Sequence, residues 1–252
     1  MKILLNGICG RMGKEVEKLA LTGYRGAELV GGVDPNGETA SVPVFADFDS
    51  QRPIISSEMP KPFSISGFCA PALCEYAKKV GKPVIIATTG HTDEEKKIIE
   101  ETSKTVPVFW SANMSLGIAL LAELAKTAAK TFPEADIEII EKHHNRKLDA
   151  PSGTALLLAN AIKKVREKAF FVLGRSGQGK RQEDEIGIHA VRVGNIVGEH
   201  EIIIGTDTQT ITLKHEASSR SLFAEGAVAA AEFMIGREPG MYDMNDLIAL
   251  NA

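Results

Sequence analysis

The sequence predicts an α/β protein, with a doubly wound parallel sheet in its first half and a second α+β domain after it. Three observations predict this. Short apolar runs alternate with helix-spaced segments through residue 110, the pattern of strands joined by crossover helices. Those runs are apolar throughout, as strands covered on both faces must be. After Ser111 the alternation stops, and helices give way to closely spaced strands.

Residues 2–7 read as the first strand and residues 11–21 as the first helix, with Met12, Val16, Leu19 and Ala20 at helical spacing. Residues 28–34 are again strand-like, and Gly31-Gly32 marks close backbone approach. Residues 35–62, rich in Pro, Ser and Asp, read mostly as loop, and residues 63–68 as a third strand. A helix follows over 71–80 with Pro in its first turn, then an apolar strand over 83–88. Residues 92–103 form a charged helix capped by Thr92, with Glu95 three positions on. Residues 107–110 make a short strand.

In the second part, residues 115–132 form a long Ala- and Leu-rich helix, residues 136–141 a strand, and residues 153–168 another helix. Residues 186–193, 196–205 and 209–215 are strands with short connections, the pattern of an antiparallel meander. An Ala-rich helix over 220–235 closes the pattern. Residues 174–185, GRSGQGKRQEDE, contain nothing core-forming and read as a mobile loop.

With 252 residues, 44% of them hydrophobic, the chain can bury a core without disulfides or a structural metal. A net charge of −4 gives no basis for nucleic-acid binding. The cysteines Cys9, Cys69 and Cys74 are odd in number and lack the spacing of a zinc site, so they read as reduced thiols. No apolar stretch approaches a membrane span, and MKILLNG runs straight into a strand without a signal-peptide cleavage region. The expectation is a soluble, cytoplasmic protein.

The first strand leads into Gly7-Ile8-Cys9-Gly10-Arg11-Met12-Gly13 and a helix. This G-x-x-G-x-x-G spacing is a variant of the dinucleotide fingerprint. Small residues let backbone amides approach a pyrophosphate at a helix N-terminus. Asp34 ends the second strand, 21 positions after Gly13, where an acid accepts ribose hydroxyls. The turns Ala87-Thr88-Thr89-Gly90 and Ser111-Ala112-Asn113-Met114 follow strand ends, where α/β sheets bind ligands. Ordinary turn chemistry accounts for them equally well.

The densest polar segment runs from Glu141 to Thr154: EKHHNRKLDAPSGT. Ser152-Gly153-Thr154 opens a strongly helical run, and amides at such a start suit a carboxylate. Cationic side chains beside it point to an anionic substrate. A histidine there can serve as general acid or base. His143 and Lys147 fall just past the strand. Two other readings stand beside this one. The first is a solvated charged face. The second is a metal held by His143 and His144 with His189, His200 or His215, which ranks last because adjacent residues of a strand face opposite ways.

The segment from Glu141 to Leu156, with its Glu-x-His-His-x-x-Lys-x-Asp-Ala-Pro-Ser-Gly-Thr-Ala pattern, resembles the signature of the 4-hydroxy-tetrahydrodipicolinate (dihydrodipicolinate) reductases of lysine and diaminopimelate biosynthesis. The resemblance extends along nearly the whole chain: Gly10-Arg11-Met12-Gly13, Thr88-Thr89-Gly90, Ala112-Asn113, Arg192-Val193-Gly194, Ile196-Val197-Gly198-Glu199-His200, and His215 with Ala217-Ser218-Ser219-Arg220. It implies a Rossmann-type NAD(P)H-binding domain over 1–114, completed by residues 218–252. It also implies a substrate-binding and oligomerisation domain over 115–217 that builds a homotetramer. It implies that His143 donates the proton with Lys147 as catalytic partner, that His144 contacts substrate, and that Gly153 and Thr154 hold a carboxylate. Gly7, Ile8, Cys9, Gly10, Arg11, Met12, Asp34, Ala87, Thr88, Thr89, Ser111, Ala112, Asn113 and Met114 are the expected cofactor contacts, with no metal. Asp34, followed by Pro35 where NADPH-tolerant members can carry a basic residue, favours NADH, while Lys14 or Arg11 could still reach the NADPH phosphate. Gly67-Phe68-Cys69 departs from the family, many members of which carry Asp-Phe-Ser or Asp-Phe-Thr there. The alternatives are another two-domain oxidoreductase, in which the His-His-x-x-Lys segment has no explanation, and a non-catalytic NAD(H)-binding redox sensor.

Overall fold

A computed structural model describes residues 1–37, 40–48, 63–66 and 70–249, with 63–66 described by backbone alone. The Gly67 position and part of the expected 35–62 loop lie outside the described residues. The chain divides into two compact units, Met1–Leu116 with Arg220–Ala252, and Gly117–Ser219.

The first unit begins with β1 (Lys2–Asn6), α1 (Arg11–Leu21), β2 (Glu28–Val33), β3 (Val44–Phe45) and β4 (Phe63–Ser66). It continues with α2 (Ala70–Val80), β5 (Val84–Ile86), α3 (Asp93–Ser103) and β6 (Pro107–Trp110). The second unit follows with α4 (Leu116–Thr131), β7 (Asp136–His143), α5 (Gly153–Lys163), β8 (Phe170–Leu173), β9 (Glu185–Arg192), β10 (Gly198–Gly205) and β11 (Thr210–Ala217). The chain then returns to the first unit through α6 (Ser221–Phe233), β12 (Gly240–Tyr242) and α7 (Met244–Ala249).

The first sheet is parallel throughout, in the order β12-β6-β5-β4-β1-β2-β3. The winding reverses between β1 and β4, and ligands of such sheets bind beyond the strand ends at that crevice. Val84, Ile85, Ile86, Val108 and Phe109 have no exposed surface, as the continuous apolar runs require. Thr92 and Glu95 form the expected reciprocal cap of α3. Short β3 and β12 and helix α7 add to what the patterning showed. Gly226 brings α6 against the chain after β6: a Cβ there would lie 1.7 Å from the Met114 carbonyl oxygen.

The second sheet has the order β11-β10-β7-β9-β8. β7 pairs antiparallel with β10 and parallel with β9. The expected meander is therefore corrected: β9 and β10 do not pair, because β7 lies between them. Their connection crosses the end of β7, with Val193 N–H donating to the His143 carbonyl (2.9 Å) and His144 N–H to the Ile196 carbonyl (2.8 Å). β8 was not apparent from the patterning, and the helix expected to reach residue 168 ends at Lys163.

Along β7 the side chains alternate. Ile137, Ile139, Glu141 and His143 are buried, while Glu138, Ile140 and Lys142 face the other way, half-buried. The buried face continues through Ile202 and Ile204 of β10 and Ile186 and Ile188 of β9, and packs against α4 and α5 through Leu121, Ala125, Leu158 and Ile162. The 174–185 segment, expected to be mobile, is anchored by its arginines. Arg175 pairs with Glu138 and Glu185, and Arg181 with Asp136 and Glu138. None of the described helices is long and apolar enough to cross a membrane.

Candidate active site

In the first unit the glycine-rich turn joins β1 to α1. Gly7 has φ +76°, a backbone region that favours glycine. Its N–H donates to the Val33 carbonyl (2.7 Å) and its carbonyl accepts from Gly10 (3.0 Å). Gly13 must lack a side chain for α1 to approach the turn, since a Cβ would sit 2.2 Å from the Gly7 carbonyl oxygen. Gly10 is the N-cap, with no side-chain cap and no acid in the first helical turn, so an anion meets the helix dipole without competition.

Asp34 lies against the same turn. The Cys9 amide donates to Oδ2 (3.1 Å) and the Asn36 amide to Oδ1 (3.1 Å). The carboxylate is thus fixed, and each oxygen keeps acceptor capacity for a ribose hydroxyl. Thr88, Thr89 and Ala112 line a cleft of about 350 Å³ with Gly90, His91, Lys96 and Trp110. His91, not singled out in the sequence, holds the Thr88 hydroxyl at 3.0 Å and packs edge-on against Trp110. The Ser111 hydroxyl and the Asn113 side chain organise the third loop, bonding the Asn113 carbonyl and the Ser115 amide. The residues present fit a dinucleotide: a close-approach turn, an uncapped helix start and a fixed acid.

In the second unit the apolar face of β7 turns polar at its C-terminal end. His143 is the last residue of the strand rather than just past it, because the ladder extends to the His143–Arg192 pair. Its Nδ1 lies 2.6 Å from Glu141 Oε2. Glu141 has no exposed surface. Arg192 grips both its oxygens, at 2.8 and 2.7 Å, and the Ser152 amide donates to Oε1 at 3.0 Å. Burial pushes the Glu141 carboxyl up, but the hydrogen bonds from His143, Arg192 and Ser152 outweigh it and hold it down at about 2.

Ser152 caps α5 by accepting from the Ala155 amide (3.1 Å), and its hydroxyl meets His200 Nε2 at 3.1 Å. The His143 and His200 rings pack edge to face, 5.3 Å apart. The amides of Gly153 and Thr154 precede the first intrahelical acceptor. Lys147 Nζ lies 2.8 Å from the Asp149 carboxylate. That bond, with help from the Gly153 amide, holds the Asp149 carboxyl below its ordinary range. Lys147 and Gly153 therefore already serve one carboxylate. His144 lies just past β7, its amide donating to the Ile196 carbonyl of the connection between β9 and β10.

The structure brings His143, Lys147 and Gly153 into one polar cluster with Ser152, read from the sequence as part of the helix start, and His200, weighed there only as a metal ligand, and adds Glu141 and Arg192, which the sequence reading gave no role in the site. One signal for Glu141 was available: it shares the two-residue period of Ile137, Ile139 and His143, so an acid there must be buried. Among the described residues no group of three or more His, Cys, Asp or Glu side chains is placed to hold a metal.

Burial, aided by the neighbouring charge of His143, pulls His200 from 6.5 down to about 4. Between these values the unfolded chain binds the proton and the folded chain does not. Stability is therefore complete above about 6.5 and falls as the pH drops toward about 4, by on the order of 3 kcal/mol. Urea unfolding across this range should show the loss, and His200→Asn should flatten it.

Two family models described as dihydrodipicolinate reductase match the chain, the N-terminal one over residues 1–114 and the C-terminal one over 117–248. The 4-hydroxy-tetrahydrodipicolinate reductase of Caldanaerobacter subterraneus subsp. tengcongensis is 47% identical over 250 residues, covering 98% of each chain. That of Clostridium botulinum is 44% identical over 253 residues, covering 99% of each. Among solved structures, a dipicolinate-bound dihydrodipicolinate reductase from Paenisporosarcina sp. TG-14 matches with a TM-score of 0.79 at 27% identity, over 98% of each chain. With both family models matched in order and relatives aligned end to end, the chain belongs to the dihydrodipicolinate reductase family of oxidoreductases.

Proposed function

We propose that this chain reduces 4-hydroxy-tetrahydrodipicolinate to tetrahydrodipicolinate with NAD(P)H, a step of lysine and diaminopimelate biosynthesis. The observation that carries the reading is the placement of His143, on a saturated buried carboxylate, beside Lys147 and the opening of α5. Loss of water from the hydroxylated ring leaves a conjugated cyclic imine with two carboxylates. The bound dinucleotide supplies the hydride. His143 supplies the proton, so one hydride and one proton together reduce one double bond. Lys147 and the amides of Gly153 and Thr154 hold a substrate carboxylate, and His144 adds a further contact. In the first unit, the turn from Gly7 to Met12 holds the pyrophosphate and Asp34 the adenosine ribose. The loops Ala87-Thr88-Thr89 and Ser111-Ala112-Asn113-Met114 hold the nicotinamide end. Residues 1–114 with 218–252 act as the cofactor domain and residues 115–217 as the substrate domain.

His143→Gln should lower turnover roughly 10²–10⁴-fold, the range for losing a general acid. Lys147→Ala should lower turnover and also raise KM, as a charge-assisted hydrogen bond is lost. NADH affinity should barely change in either, because the cofactor turn belongs to the other unit. Steady-state kinetics with enzymatically generated substrate, NADH titration and circular dichroism check this. Near-normal turnover in both folded variants would make the segment a solvated surface. NADH binding without consumption by the unaltered chain would make it a redox sensor.

NADH should serve at least as well as NADPH, since the fixed Asp34 carboxylate repels a 2′-phosphate and Pro35 offers no cation. A kcat/KM for NADPH well above that for NADH would overturn this assignment of Asp34.

The assembly we propose is a homotetramer built through the second unit. Its support is the family resemblance together with the face of the second sheet opposite the helices, where Ile140 and Ile203 are half-buried and Val191 is exposed. That face also carries charge, with Lys142 and Lys214 both on Glu199. Sedimentation at micromolar concentration should give four times the chain mass; a stable monomer would refute it.

A further inference from the structure

The donors around Glu141 count out its carboxylate. An ionised carboxylate offers about four acceptor sites. Oε2 takes His143 Nδ1 (2.6 Å) and Arg192 Nη1 (2.8 Å), while Oε1 takes Arg192 Nη2 (2.7 Å) and the Ser152 amide (3.0 Å). Arg192 is itself held, donating from Nη2 to the Asp149 carbonyl at 2.7 Å. Three of those sites are filled by groups that can only donate, Arg192 twice and the Ser152 amide, and these hold the carboxylate ionised; at the fourth it can only accept, so the hydrogen shared with His143 belongs to Nδ1.

The opposite edge of the imidazole is arranged differently. His143 Nε2 has no hydrogen-bond partner among the described residues. It faces Gly198 of β10, where a Cβ would stand 3.1 Å from Nε2, so the missing side chain leaves that edge open. The charged and titratable groups nearest the ring are Glu141 on β7, Arg192 on β9 and His200 on β10. Among the described residues only Glu141 bonds to the ring.

We propose that Glu141 is a positioning residue for His143. Its carboxylate, gripped by Arg192, fixes the imidazole as the Nδ1–H tautomer, makes Nε2 the one nitrogen that exchanges a proton with substrate, and ties the ring through Ser152 to the start of α5. Proton donor and anion-binding helix end are then held in one frame, and their spacing is set by one side chain. This rests on the reading of His143 as proton donor, but its structural content is tested without turnover.

The test is long-range ¹H–¹⁵N NMR of the imidazoles in uniformly labelled protein above neutral pH, with His143 assigned by its loss in His143→Gln. A single Nδ1–H tautomer supports the proposal, and an Nε2–H tautomer or an even mixture overturns it, whatever the enzyme turns over. Glu141→Gln offers two acceptor sites to four donors and should lose the tautomer signature. It should lower turnover roughly 10²-fold or more, since a histidine in the wrong tautomer can cost up to ~10⁴ in kcat. Added to His143→Gln, the same change should cost less than about 3-fold, the non-additivity of residues acting as a unit. Equal losses with and without His143 would make Glu141 merely structural and overturn the proposal. Should Glu141→Gln not fold, Arg192→Lys, which keeps the charge but loses the two-pronged grip, takes its place. A mixed tautomer with lowered turnover supports the proposal; an unchanged ring and unchanged turnover overturn it.

Discussion

A carboxylate removed from water stays charged only where enough donors replace its hydration. Glu141 meets this condition on a face that is otherwise a hydrophobic core. Ile137 and Ile139 precede it on the same side of β7, so the alternation of the strand turns the acid inward but supplies it no partner. It is the convergence of Arg192 from β9, the Ser152 amide at the start of α5 and His143 two positions on that makes burial tolerable. Each group comes from a different element. The register of β7 against β9 and the angle at which α5 leaves its cap are therefore both tied to one side chain. Packing of α5 through Leu158 and Ile162 and the polar end of the sheet are two parts of one arrangement.

The neighbouring histidines show how charge is rationed there. His200 is buried and kept neutral, and it spends its Nε2 on the hydroxyl that caps α5. His143, 5.3 Å away ring to ring, spends its Nδ1 on Glu141 instead. Lys147 and Asp149 neutralise each other at the rim. Under the proposed function, a substrate carboxylate arriving at Lys147 would exchange one anionic partner for another, which costs less than pairing a bare buried ammonium.

The first unit solves a different problem, close approach rather than charge balance. The turn after β1 works because Gly13 leaves room for the Gly7 carbonyl and Gly7 takes a positive φ. Asp34 then ties β2 to the turn through the Cys9 amide. The acid expected to meet the ribose is thus also a brace for the glycine-rich turn.

What the residues determined alone follows from local rules. Continuous apolar runs, glycine spacing, the Thr92–Glu95 cap and the Ser-Gly-Thr helix start depend on neighbours within a few positions, so β1, α1, α3, β5 and the opening of α5 were legible, as were the glycine turn and the His143–Lys147 segment. The pairing of distant strands was not. Short connections between residues 186 and 215 suggested a meander, yet β7 enters between β9 and β10, and both of its hydrogen-bonding edges find partners there, a choice made by the whole sheet. The 174–185 segment looked unanchored because its arginines find Asp136 and Glu138, some forty residues earlier in the chain. Glu141 stood inside the recognised motif, but its partners Arg192 and Ser152 lie 51 and 11 positions away. Spacing in a sequence reports which side of a strand a residue takes; only the folded sheet decides which donors wait there, and for a buried charge those donors determine what it can do.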